Sequence, residues 1–146
     1  MMVRRAEDRD LDEIVRVWKS NIYSAVTPET IEFWFRRNKK YFFVCELDGR
    51  IVGFVAGTVK SPERIHISGI AVDAEHRRKQ IGSALLSTIE RESYKEGFRK
   101  VTLEVRKSNE AAIKFYEKNG YRRTGVTPFY YFDGEDALNY EKSLNP

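Results

Sequence analysis

Residues 70–86, Ile-Ala-Val-Asp-Ala-Glu-His-Arg-Arg-Lys-Gln-Ile-Gly-Ser-Ala-Leu-Leu, pass from an apolar strand through a basic turn directly into an amphipathic helix. Free backbone N–H groups at a helix start, with the positive end of the helix dipole behind them, attract anions. Arg77, Arg78 and Lys79 add mobile positive charge beside that start. The segment is a seat for a pyrophosphate, and it predicts a phosphorylated ligand. A second chemical feature lies in residues 100–106, where Val101, Leu103 and Val105 alternate with Thr102, Glu104 and Arg106. In a strand this alternation turns the apolar set into a core and leaves the polar set, with its carboxylate, bordering a cleft.

Several other chemistries lack their residues. Cys45 is the sole cysteine and sits in an apolar run, so it forms no internal disulfide and reads as a small buried hydrophobe. His66 and His76 have no partners at metal-ligand spacing, and neither a Gly-x-Ser-x-Gly elbow nor a nucleophile triad is present. No metal is therefore expected. The net charge of +4 suits an anionic cofactor better than nucleic acid, which needs a denser basic stripe. No apolar run approaches the roughly 18 residues of a membrane helix, and the basic N-terminus has no apolar segment after it. The expected location is the cytoplasm, with no membrane partner.

The elements that must position these groups follow from pattern. At 146 residues the chain fits one domain, 1–146, undivided by any linker or low-complexity run. Residues 2–6 read as a short strand. Asp10 and Glu13 form a capping-box-like pair for a helix with the stripe Leu11, Ile14, Val15, Trp18 and Ile22. Thr27 and Pro28 start a second helix that buries Ile31, Trp34 and Phe35. Strands 41–47 and 51–60 are joined by Asp48-Gly49, a dipeptide suited to a tight antiparallel hairpin. Residues 64–72 form another strand. The helix after the basic turn carries Ile81, Ala84, Leu85, Thr88 and Ile89 on one face and stops at Gly97, before strand 100–106. That strand–helix–strand unit requires the two strands to be parallel. Ser108 is expected to cap a helix over 109–119, ended by Gly120, and strand-like runs 121–132 and 137–143 follow. The fold class is α/β: a mixed, mostly antiparallel sheet with one internal parallel crossover, flanked by about four helices.

Arg77, Gln80 and Gly82 stand at the marked positions of Arg/Gln-x-x-Gly-x-Gly/Ala, and the segment resembles the acyl-CoA-binding motif of the GNAT superfamily of N-acetyltransferases. Gln80 replaces the middle glycine. It keeps a backbone N–H for the cradle, at a cost of roughly 1 kcal/mol if its φ must be positive. Leu103-Glu104-Val105-Arg106, Ser108-Asn109, Ala112-Ile113, Phe115-Tyr116-Glu117, Asn119-Gly120-Tyr121 and the run Tyr130 to Ala137 continue the likeness. Together they resemble the branch holding the ribosomal-protein alanine and archaeal N-terminal acetyltransferases. Between the first two helices, Tyr23 to Thr30 departs from the Leu-Pro-Glu-Asn-Tyr-like signature of the archaeal and eukaryotic enzymes, where this loop walls the peptide site.

The resemblance implies acetyl-CoA as co-substrate. It assigns pantetheine contacts to the backbone of Ile70 and Val72. Pyrophosphate contacts fall to Arg77, Arg78, Gln80, Gly82 and Ser83, and Asn109 reaches the cofactor from the later helix. Glu104 would be the general base and Tyr116, twelve positions on, the general acid, with His66 as a rival base; Tyr130 and Tyr131 would line the acceptor entrance. The implied acceptor is a protein or peptide α-amine. A small-molecule amine, a lysine ε-amine and a non-catalytic acyl-CoA-binding module are the alternatives, and a homodimer is left open.

Overall fold

The computed structural model describes residues 1–77 and 79–145, so Arg78 lies outside the described residues. Strand β1 (Met2–Arg5) is followed by helices α1 (Leu11–Asn21) and α2 (Pro28–Arg37). Strands β2 (Phe42–Leu47), β3 (Arg50–Ser61) and β4 (Arg64–Val72) come next, then helix α3 (Ile81–Lys95) and strand β5 (Lys100–Arg106). Helix α4 (Glu110–Lys118) and strands β6 (Arg122–Thr127) and β7 (Ala137–Ser143) complete the order. One seven-stranded sheet runs β1-β2-β3-β4-β5-β7-β6. Its neighbours are antiparallel except β4 and β5, which α3 connects in parallel. This is the mixed α/β architecture expected from the pattern.

Strands β2 and β3 read as nearly unbroken apolar runs because both of their faces are covered. Phe42, Val44, Phe54 and Ala56 pack with Ile14, Trp18, Ile31 and Phe35 of α1 and α2. Phe43, Cys45 and Val55 face the opposite core, with Ile81, Leu85 and Ile89 of α3 and Val101 and Leu103 of β5. On β5 the burial alternates: Val101, Leu103 and Val105 are buried, whereas Thr102, Glu104 and Arg106 are half-buried on the opposite face. The cleft face predicted for this strand is therefore present.

Strand β4 carries an irregularity that shapes the cleft. Ala56 pairs with Gly69 and Gly57 with Ile67, which leaves Ser68 as an extra residue on β4. A bulge bends its strand and increases the local twist. The pairing of β4 with β5 covers only Arg64, His66 and the residue between them, opposite residues 100–102. Beyond His66 the two strands part. Gly69 lets Trp18 press against the bend, since a Cβ there would stand 2.7 Å from the indole.

Four local readings need correction. Asp10 makes no side-chain cap for α1 with Glu13. It accepts the Glu7 backbone N–H at 2.8 Å and a two-pronged contact from Arg4 at 2.8 and 3.0 Å, because a buried carboxylate beside a guanidinium favours that stronger pairing. The buried stripe of α1 is Leu11, Ile14, Val17 and Trp18, with Val15 and Ile22 only half-buried, and Trp34 of α2 is likewise only half-buried. Asn109, not Ser108, caps α4, accepting the Ala112 N–H at 3.1 Å, while the Ser108 N–H donates to Glu135. The strand expected over 121–132 ends at Thr127. Pro128 supplies no N–H to a ladder, and Phe129 turns into the left-handed region at φ +53°.

Candidate active site

The parting of β4 and β5 opens a cleft of about 1000 Å³. Two kinds of surface meet in it. Toward the C-terminal end of β4, residues beyond Ile67 have an edge that β5 leaves unpaired, and Ile70 lines the cleft there. An extended chain of amides can join such an edge as an added strand. Val72, at the end of that edge, has its carbonyl occupied by Arg77 Nε at 3.1 Å.

Past β4 the basic turn leads into α3, whose first N–H groups have no partner within the helix. Gln80 immediately precedes α3 with φ +61°, so it sits in the left-handed conformation where glycine is favoured. Gly82 and Ser83 lie in the first turn. Gly82 is also needed for packing, since a Cβ would stand 3.0 Å from the Phe115 ring of α4. Arg77 Nη2 donates to Asn21 Oδ1 at 3.0 Å, and Asn21 donates to Asp73 at 2.9 Å, so the turn is tied to the end of α1. Open N–H groups, exposed cations and an unpaired strand edge together fit a pantetheine–diphosphate ligand.

The other surface is built from side chains. His66 Nε2 lies 2.9 Å from Glu104 Oε1, and its Nδ1 lies 2.7 Å from Thr102 Oγ1. The Tyr130 hydroxyl donates to the same Glu104 oxygen at 3.1 Å, and Arg64 Nη1 donates to Thr102 Oγ1 at 3.2 Å. In the neutral imidazole these contacts have one consistent sense: Arg64 donates to Thr102, Thr102 to Nδ1, and Nε2–H to the carboxylate. Glu104 thus pairs with His66 and not with Arg106. Burial pushes the Glu104 carboxyl up. The hydrogen bond and charge of His66, the hydrogen bond from Tyr130 and the charge of Lys60 outweigh it, and the net pKa falls below the ordinary 4.5. The Tyr130 phenol is pushed up to about 12 by burial and the adjacent Glu104 charge.

Tyr116 projects from α4 into the same cleft, and burial holds its phenol well above the ordinary range. Asn109 also lines the cleft, although its side-chain oxygen is engaged at the helix cap. Tyr130 and Tyr131 reach the cleft from the β6–β7 loop, facing Tyr23 and Val26 of the α1–α2 loop. Arg106 bolts these loops together. Its guanidinium lies 4.2 Å from the Tyr131 ring centre and 5.0 Å from that of Tyr23, and it donates to the Tyr23 carbonyl at 3.1 Å. Asp133 and Glu135 each accept from it at 2.9 Å. Sequence reasoning did not single out Arg64, Thr102 or Tyr23 for the site. Thr102 shares the polar side of its strand with Glu104, which was the available signal.

A family model described as the acetyltransferase (GNAT) family matches residues 9–121. The chain belongs to the GNAT family. An N-alpha-acetyltransferase of Sulfurisphaera tokodaii is 33% identical, over 92% of this chain and 88% of that protein. The crystal structure of Ard1 from Thermoplasma volcanium superposes with a TM-score of 0.95 at 29% identity, covering 99% of this chain and 98% of the other. The ribosomal-protein-S18-alanine N-acetyltransferase of Escherichia coli gives 0.86 at 28% identity, covering 99% and 94%. This GNAT chain is an acyltransferase enzyme, and acetyl-CoA is the acyl donor of its family. Among the described residues no group of three or more His, Cys, Asp or Glu side chains gathers to hold a metal, and no helix is long and apolar enough to cross a membrane.

Proposed function

We propose that this GNAT enzyme transfers an acetyl group from acetyl-CoA to the N-terminal α-amine of a protein or peptide. The observation that carries this reading is the position of Glu104, held by His66 and Tyr130 where β4 and β5 part, under a roof of two aromatic loops. Similarity to N-terminal acetyltransferases supports it. The donor lies along the free edge of β4, with backbone contacts at Ile70 and Val72. Its diphosphate rests at the start of α3, near Arg77, Gln80, Gly82 and Ser83. Asn109 borders the thioester end from α4.

Magnitudes decide how the amine is activated. At pH 7 an α-ammonium of pKa about 8 needs only about 1.4 kcal/mol to lose its proton, whereas a lysine ammonium near 10.4 needs about 4.6 kcal/mol. A carboxylate with a pKa below 4.5 is a poor direct acceptor of either proton. Glu104 therefore holds the incoming ammonium by charge and hydrogen bonds, and the proton leaves through water to solvent. The neutral amine then attacks the thioester carbonyl carbon. As the C–S bond breaks, Tyr116, kept protonated by its burial, gives its proton to the departing sulfur and regains one from the acylated nitrogen. Proximity within the ternary complex supplies much of the acceleration. A site matched to a weakly basic amine suits N-termini better than lysine side chains.

The test is CoA release with peptides of varied first residues beside a panel of small amines. Turnover of peptides is the expected result. Turnover of polyamines or aminoglycosides with no peptide accepted would reject the α-amine assignment.

A further inference from the structure

Two cations in the cleft form no ion pair among the described residues. Lys60 ends the central part of β3, Arg64 begins β4, and both line the acceptor side across the short turn that joins the strands. Among the described residues lining the cleft, Glu104 is the single carboxylate, and His66 and Tyr130 already donate to it. Arg106, the remaining cation, is matched by Asp133 and Glu135. Glu141, in the polar hollow beside Arg64, pairs with Lys100 at 3.4 Å. No ion pair to Lys60 or Arg64 forms among the described residues. Arg64 is half-buried and gives one side-chain hydrogen bond, to Thr102, out of five N–H donors.

An unneutralised, half-buried guanidinium is unfavourable unless something completes it. It also repels an arriving α-ammonium. An acceptor that brings its own carboxylate removes both penalties, whereas a polyamine doubles the second. We infer that Lys60 and Arg64 form a carboxylate-binding subsite that selects peptides with an acidic side chain next to the reacting N-terminus. Arg64 lies two residues before His66 on one face of β4, roughly 6.6 Å along the strand. That is about the reach from an N-terminal nitrogen to the side-chain carboxylate of the second residue in an extended peptide. The inference rests on the α-amine reading above and narrows its substrate. The two cations serve the reaction as well, because positive charge near the amine favours its neutral, nucleophilic form.

The experiment compares kcat/KM for three peptides that begin Ser-Glu, Ser-Gln and Ser-Lys and are otherwise identical, at low and high salt. Lys60 is exposed and outside the hydrogen-bond chain to Glu104, so Lys60→Glu is the decisive variant; Lys60→Gln/Arg64→Gln is the second. Wild type should prefer Glu over Gln about tenfold, with Lys poorest, and the preference should shrink at high salt. Lys60→Glu should cut the Glu preference about two- to fivefold, read as the ratio of the Glu to the Gln peptide, in which any shared effect of the reversed charge on Glu104 cancels. The double variant should abolish it. Equal use of the three peptides by wild type, or a preference that survives both variants, would overturn the subsite while leaving α-amine acetylation intact. Turnover of small amines with none of the three peptides would instead remove the α-amine reading, and the subsite with it.

Discussion

The two halves of the cleft are built by different means. The donor half is made mostly of backbone: an unpaired strand edge beyond Ile67 and the first turn of α3, where the side chains that matter are few, Gly82 for its packing and Arg77 for its charge. The acceptor half is made of side chains from β4, β5, α4 and two loops, joined by hydrogen bonds between residues up to 83 positions apart. A backbone cradle tolerates substitution and serves any ligand with the same diphosphate and amides. A side-chain lattice does not, so on the proposed reading acceptor choice resides there.

Substitutions should separate the halves. Glu104→Gln removes the charge proposed to hold the ammonium and should lower kcat about 100-fold or more, while acetyl-CoA affinity by calorimetry stays within about twofold. The reverse pattern would exchange the roles of the two halves. Arg106→Ala unbolts the roof and should raise the peptide KM about tenfold, again without affecting the donor. Hydrogen exchange should rise at both Tyr23 and Tyr131, because Arg106 contacts both loops. Arg77→Ala acts on the other half. It should weaken CoA binding about fivefold and leave the peptide KM unchanged.

Smaller effects sharpen the contrast. Gln80 has φ +61°, so Gln80→Gly should stabilise the fold by about 1 kcal/mol, read as a higher Tm, with CoA binding retained. A loss of stability would mean that the Gln80 side chain matters to the turn. The pH dependence follows from the sign of the Glu104 shift. Its folded pKa lies below 4.5, so it is a carboxylate at neutral pH, and the stability its contacts contribute is present above the unfolded value and lost as pH falls through the folded one. Glu104 should therefore add no acid limb to kcat/KM above pH 4.5, and Glu104→Gln should flatten part of the acid unfolding curve below it. The alkaline rise should follow the acceptor amine.

Much of the backbone half was legible in sequence. The bounds of β4, β5 and β7 coincide with those read from the sequence, because each run is closed by turn residues, and on β5 the burial also alternates. The basic turn and α3 were readable for the same local reason. Where reading failed, a distant partner decided the outcome: Arg4 drew Asp10 out of its cap, and Glu135 engaged the Ser108 N–H while Asn109 took the cap. The run after Thr127 keeps strand-like composition, but Pro128 and the left-handed Phe129 end it. The family resemblance set Glu104 and His66 apart as rival bases. The structure makes them partners at 2.9 Å, because the parallel register sets His66 opposite Thr102 and so brings Glu104, two residues on along the same face of β5, within diagonal reach. No local pattern carries that register.

The most direct measurement is tandem mass spectrometry of one peptide with a free N-terminal serine and an internal lysine, after incubation with acetyl-CoA and either wild type or Glu104→Gln. A single acetyl group on the α-nitrogen, formed by wild type and nearly lost in the variant, is the predicted result. Acetyl on the lysine ε-nitrogen, or α-acetylation that persists undiminished without the Glu104 charge, would contradict the account.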